Sequence, residues 1–201
     1  FVNVTANSQA CLQVQNVLDQ GDAPASYGGA SHVVPAVTPT IYLGTTVPDV
    51  DSAANVTLWQ GQTTANGDDS TGMADEGINQ LRTDGSTTFS MLTNATSYQM
   101  QIRCQGTTTA NAISGWIDFD KNGVFDASEL AQATCSTVAA NGRATLTWTG
   151  VSGLTAGNTF ARLRIASNAT ESGSPTGASM DGEVEDYPVT IITPPPSQQS
   201  C

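Results

Sequence analysis

Five carboxylate or carboxamide side chains fall within twelve residues of this chain: Asp118, Asp120, Asn122, Asp126 and Glu129. They occupy positions one, three, five, nine and twelve of the segment. Gly123 stands at six, where the chain must turn sharply, and Val124 offers its carbonyl at seven. This is the spacing of a loop that wraps a calcium ion. Calcium takes about six to eight oxygens at roughly 2.3–2.6 Å, and alternate residues of a tight loop converge to provide them. Without an ion, four carboxylates in one loop repel each other, and a divalent cation removes that cost. The preceding Ser114-Gly-Trp-Ile117 reads as a strand, and Ala127-Ser-Glu-Leu-Ala-Gln-Ala133 carries a short helical pattern. The expected unit is therefore strand, calcium loop, short helix.

Two further acidic groups supply a second candidate ligand set. Asp49, Asp51, Asp68, Asp69, Asp75 and Glu76 fall within 28 residues that hold no Lys or Arg. Asp181 and Glu183 open the run Asp181-Gly-Glu-Val-Glu-Asp-Tyr187. In a strand, Glu183, Glu185 and Tyr187 share one face, and Val184 and Asp186 share the other. Such a run needs compensation. Cross-strand pairing with Arg162 and Arg164, calcium at the strand entry, and a solvated edge strand are the alternatives.

Catalysis is not expected. His32 is the only histidine, and it lies in a Gly/Ser/Pro-rich stretch that suits a structural hydrogen bond in a loop. There is no G-x-S-x-G or H-E-x-x-H motif. Paired carboxylates hydrolyse glycosides only when one has a raised pKa in an apolar cleft, whereas these loops suit metal. Trp116 and Trp148 read as core residues. Trp59 is the surface candidate for stacking on a sugar.

The acidity narrows the partners. Lys and Arg total 6 against 18 Asp and Glu, for a net charge of -12, and Lys121 is the single lysine. No basic patch exists to neutralise phosphates, so nucleic acid is excluded as a partner and anionic membranes are disfavoured. No apolar stretch is long enough to span a bilayer, so direct membrane insertion is not expected. Cys11, Cys104, Cys135 and Cys201 form no C-x-x-C pair. An even count in this composition suggests two disulfides in an oxidising compartment. Of three connectivities, Cys104–Cys135 is favoured because the two flank the calcium loop. That leaves Cys11–Cys201, or a Cys201 bond to another subunit. Asn3, Asn55, Asn94 and Asn168 each open a glycosylation sequon.

The positioning elements are strands. With 201 residues, 38% of them hydrophobic, the chain can build a real core, and the shortage of charge is made up by Thr, Ser, Asn, Gln and Gly. Period-two alternation predicts strands at 87–92, 97–104, 112–119, 143–149, 158–166 and 184–192. Residues 1–18 alternate loosely and form an N-terminal strand extension. Residues 19–77 read as long ordered acidic loops with short strands, including Ile41-Tyr-Leu43. Residues 193–201 form a Pro-rich tail ending in Cys. The expectation is one all-β domain over 19–192, a β-sandwich of jelly-roll or Ig-like type.

Several motifs occur in order along that domain. They are Gly21-Asp-Ala-Pro-Ala-Ser-Tyr27 with His32, Tyr42-Leu-Gly44 with Asp49 and Asp51, Gly67-Asp-Asp69 with Asp75-Glu-Gly77, Gly115-Trp-Ile-Asp-Phe-Asp120 with Asn122-Gly123, Phe160-Ala-Arg-Leu-Arg-Ile165, and Gly182-Glu-Val-Glu-Asp-Tyr187. Together they resemble the GEVED domain of bacterial secreted and cell-surface proteins. The resemblance implies an extracellular β-sandwich module and names no ligand. The function expected is a non-catalytic, calcium-stabilised structural or adhesive module at the cell surface. It would serve as a filament subunit if residues 1–18 add as a strand to a neighbour, or sit beside other domains of a surface protein, with a glycan or surface receptor as target. The alternative is a carbohydrate-binding accessory module of a secreted hydrolase.

Overall fold

Alternation of apolar with Thr, Gln and Arg side chains makes strands wherever the apolar set finds a common face. The computed structural model describes residues 17–35, 38–48, 81–84, 88–107, 111–136 and 142–196. The expectations for residues 1–16, Asp49, Asp51, Trp59, Asp68, Asp69, Asp75, Glu76 and the end of the tail lie outside the described residues. So do those for Cys11 and Cys201. In chain order the strands are β1 (Val17–Gln20), β2 (Ala30–Val34), β3 (Tyr42–Leu43), β4 (Phe89–Leu92), β5 (Ser97–Gln105), β6 (Ala112–Ile117), β7 (Leu130–Thr134), β8 (Gly142–Thr149), β9 (Gly157–Ala166), β10 (Gly177–Ser179) and β11 (Glu183–Ile192). Single helical turns sit at Ala25–Tyr27 and Ala127–Glu129, and a short helix α1 spans Ala169–Ser172.

Three sheets result. Five strands run in the order β4-β11-β9-β6-β7, three in the order β3-β5-β8, and three in the order β1-β2-β10. The first two face each other across one core. Ile113 and Ile117 of β6, Leu163 and Ile165 of β9 and Val189 and Ile191 of β11 meet Met100 and Ile102 of β5 and Leu146 and Trp148 of β8. This is the expected all-β, sandwich-like fold. β8 shows the rule cleanly, with Ala144, Leu146 and Trp148 buried and Thr145, Thr147 and Thr149 exposed. The Cys104–Cys135 disulfide forms as expected and ties β5 to the end of β7. Its 31-residue separation restricts the unfolded chain by about 3–4 kcal/mol.

Three local readings change. The helical pattern of 127–133 ends after Glu129, because Leu130–Thr134 pairs with β6 from Leu130↔Trp116 to Thr134↔Ala112. His32 lies on β2, not in a loop, paired with Asp19 of β1 and Ser179 of β10. The acidic run 183–187 enters no solvated edge strand. β11 lies between β4 and β9, and Glu183 through Tyr187 are all buried.

The last change has one cause. The outer face of β9 and β11 is covered by the third sheet and by residues 21–28. Arg162 and Arg164 therefore stand in protein rather than water, both under 2% exposed. A second, smaller core fills that interface where Ala23, Tyr27, Trp116 and Phe125 meet. The candidate loop hangs between β6 and β7, in contact with both layers.

Candidate metal centre

Asp118 is the first residue after β6, and the sandwich holds it at both backbone ends. Its N–H donates to the Phe160 carbonyl at 3.1 Å, and its carbonyl accepts from Thr159 Oγ1 at 2.7 Å. The chain then reverses through two left-handed residues, Lys121 (φ 61°) and Gly123 (φ 83°). Glycine suits the second because it has no Cβ to clash. The Lys121 ammonium turns away from the carboxylates and donates to the carbonyls of Thr155 and Ala156 at 2.8 and 2.9 Å. The single lysine thus pins the loop and neutralises none of its acids.

The candidate ligands divide by burial: Asp118 and Glu129 are buried, while Asp120 and Asn122 are exposed. Asp118 is fully buried. Its Oδ1 accepts from the Asn122 N–H at 3.1 Å, and its Oδ2 from the Gly123 N–H at 3.0 Å. Asp120 Oδ1 accepts from the Asn122 N–H at 3.0 Å. The Asn122 amide bridges Asp120 at 3.2 Å and Asp126 at 2.8 Å. Glu129 closes the turn. Its Oε1 accepts from the Phe119 N–H at 2.6 Å and its Oε2 from the Asp126 N–H at 3.0 Å, completing a reciprocal capping box with Asp126. One carboxylate oxygen from each of Asp118, Asp120 and Glu129 lies within 4.8 Å of the others. Val124 keeps its side chain in solvent, as a residue contributing only its carbonyl would.

This donor set is all oxygen, which suits a hard cation such as calcium. The electrostatics agree. Burial, with added repulsion from Asp118 and Asp120, pushes the Glu129 carboxyl up to about 7, against the lowering effect of its two backbone donors. A divalent ion at the shared oxygens relieves the repulsion part of that cost.

Tyr27 reaches the loop from the other layer. Its hydroxyl donates to Asp118 Oδ2 at 2.6 Å, and its ring packs 4.5 Å from that of Phe125. Burial and the Asp118 carboxylate push the phenol pKa up, so it stays a donor. The role of Tyr27 was not legible locally, because 91 residues separate the pair. Trp148, read as core, also serves the loop: its indole N–H donates to the Glu129 carbonyl at 2.7 Å.

The second candidate set divides. Asp181 Oδ1 accepts from the Ser167 N–H at 2.9 Å, and Glu183 Oε2 accepts from the Leu43 N–H. The other six members lie outside the described residues. Arg162, offered as a cross-strand partner, does pair. It reaches Asp186 through Nε and Nη2, both at 2.7 Å. Asp186 also accepts from the Ala23 N–H at 2.6 Å. Arg164 instead donates to His32 Nε2 at 2.9 Å and to the carbonyls of Ser174 and Gly177.

His32 is therefore neutral and clamped, with Nδ1–H donating to the Asp181 carbonyl and Nε2 accepting from Arg164. Burial, reinforced by the charge of Arg164, pushes it down to about 3. The unfolded chain takes up this proton near pH 6.5 and the folded one only near 3. Stability from neutral His32 is thus complete above pH 6.5 and is lost as pH falls towards 3. The loss is on the order of 4 kcal/mol. Urea denaturation of wild type and His32→Gln across pH 7 to 4 should show the extra slope in wild type alone. Equal slopes would contradict the clamp.

The fold defines the class: an all-β, sandwich-like domain with an oxygen-rich loop between two adjacent strands, β6 and β7. Residues 112–190 match the family model of the GEVED domain, and the loop, β9 and the Gly182–Tyr187 signature all fall inside the match. No curated protein and no solved structure matches the chain.

Proposed function

We propose that this chain is a non-catalytic, calcium-stabilised structural or adhesive module of the cell surface or secreted space. The observation that carries the reading is the convergence of Asp118, Asp120 and Glu129 within 4.8 Å in a loop whose spacing supplies Asn122, the Val124 carbonyl and Asp126 as further ligands. A half-turn of the Asn122 amide would present its oxygen where its donors now bridge two carboxylates. The ion would supply charge neutralisation and rigidity, and the chain supplies the cage. The non-catalytic reading is supported by the only histidine, which is fully buried with both ring nitrogens engaged. Within this class we favour a filament subunit or one domain of a larger surface protein; Val17 and Leu18 already pair with Val34 and Val33 of β2, so the expected self-association segment shortens from residues 1–18 to residues 1–16.

Calcium should raise the melting temperature. At a concentration about 100-fold above the dissociation constant the gain is about 2.7 kcal/mol. For a domain of this size that is a rise of roughly 5–10 °C over a chelator-treated sample. Glu129→Gln should abolish the response. Identical melting curves in calcium and in chelator would remove the metal from the reading.

A further inference from the structure

A cleft of about 410 Å³ runs alongside the candidate loop, within the size range of ligand sites. Its lining includes Asp120, Ser128 and Glu129 from the loop and Thr147, Trp148, Thr149 and Ser152 from β8 and the residues after it. Two residues of the candidate calcium cage thus line the same cleft as three hydroxyl-bearing residues of the neighbouring strand and turn.

The cleft opens onto a second feature. Along the outer face of β5 and β8, Ser97, Gln99 and Gln101 stand opposite Thr149, Thr147 and Thr145. All six are exposed, and Gln99 donates to Thr147 Oγ1 at 3.1 Å. These three pairs include no acid, although the chain carries a net charge of -12. They include no apolar or aromatic residue either. An interface with folded protein is centred on aromatic, Met and Arg anchors, and a phosphate site needs basic groups; these three pairs offer neither, and the basic pair on the same face, Arg103 opposite Arg143, lies at the end of the ladder away from Thr149. Hydroxyls and amides both donate and accept, which matches a neutral ligand dense in hydroxyl groups.

We propose that this cleft and the strip beside it bind a neutral glycan, with two sugar hydroxyls completing the coordination of the loop cation. The cation contact rests on the calcium reading above, and the strip rests on its own composition. Without an aromatic platform, each contact is weak, and repeated copies on a surface would supply avidity.

The test is amide chemical-shift mapping of the calcium-loaded protein titrated with cellohexaose, chitohexaose and mannohexaose, each at millimolar concentration. At least one probe should shift Ser128, Thr147, Thr149, Gly150 and Ser152, and chelator should abolish the response. Thr147→Val should weaken that binding about tenfold, about 1.4 kcal/mol, while leaving the melting shift with calcium intact. Silence with all three probes, shifts elsewhere, or equal shifts in chelator would overturn the proposal. The calcium melting shift is read on the same sample. Its presence beside a silent cleft condemns the glycan site alone, and its absence condemns the metal reading.

Discussion

Arg162→Met should cost at least 3–5 kcal/mol and bring the domain close to unfolding at room temperature. Both partners of the Arg162–Asp186 bridge have fully buried side chains. Removing the guanidinium leaves Asp186 charged in a dry layer with the Ala23 N–H as a remaining donor. It also removes the donor that Arg162 Nη1 gives to the carbonyls of Gly28 and Pro175, both at 2.8 Å. An orphaned buried acceptor costs about 1–3 kcal/mol. Arg162 further lies over the Phe125 ring at 5.4 Å, so the loss should loosen the 118–129 loop as well. The companion variant Arg162→Met/Asp186→Leu should recover part of the loss, because the penalty of the single change is mostly an uncompensated charge. Urea denaturation of the set measures this. A loss under about 1 kcal/mol for Arg162→Met would mean that water reaches the pair and that the N-terminal layer does not seal it.

Gly182→Ala should be nearly as damaging, for a steric reason. Gly182 has φ 90°, and a Cβ there would lie 1.8 Å from the Ile165 carbonyl oxygen and 3.0 Å from the Ala166 Cα. Those neighbours are backbone of β9, the central strand, and cannot rotate aside. Gly153 provides the control. It has φ 70° with nothing within 4 Å of a new Cβ, so Gly153→Ala carries only the left-handed penalty of about 1–2 kcal/mol. Gly182→Ala should exceed it by at least 2 kcal/mol, because the entry of β11 must shift relative to β9. Equal losses for the two variants would show that the strands are not packed this closely. The glycine at the head of the signature run is thus a packing requirement, and Asp186 within the run is an ion-pair requirement.

The candidate loop and the N-terminal layer share contacts that neither would make alone. Tyr27 joins the layer to Asp118, and Phe125 joins the loop to Tyr27 and Arg162. An ion that orders the loop should therefore stiffen residues 21–28 too.

Features whose chemistry is written at short range were legible in the residues alone. Alternation in Gly142–Thr149 could bury only Ala144, Leu146 and Trp148 together, so its strand was readable. The loop was readable because its Asp, Asn and Glu residues recur at fixed short spacing, and three of them, Asp118, Asp120 and Glu129, bring a carboxylate oxygen each within 4.8 Å of the others. Long-range packing settled what short-range preference could not. Helix propensity over 127–133 amounts to tenths of a kcal/mol per residue, and the ladder from Leu130 to β6 outweighed it. The charged run of β11 became central because β4 pairs on one side and β9 on the other. Besides Arg162, 24 residues from Asp186, its partners came from far away: Ala23 is 163 residues from Asp186, Leu43 is 140 from Glu183, and Asp19 is 165 from Val184. A buried charge takes whatever polar group the topology brings to it, and sequence spacing carries no record of that choice.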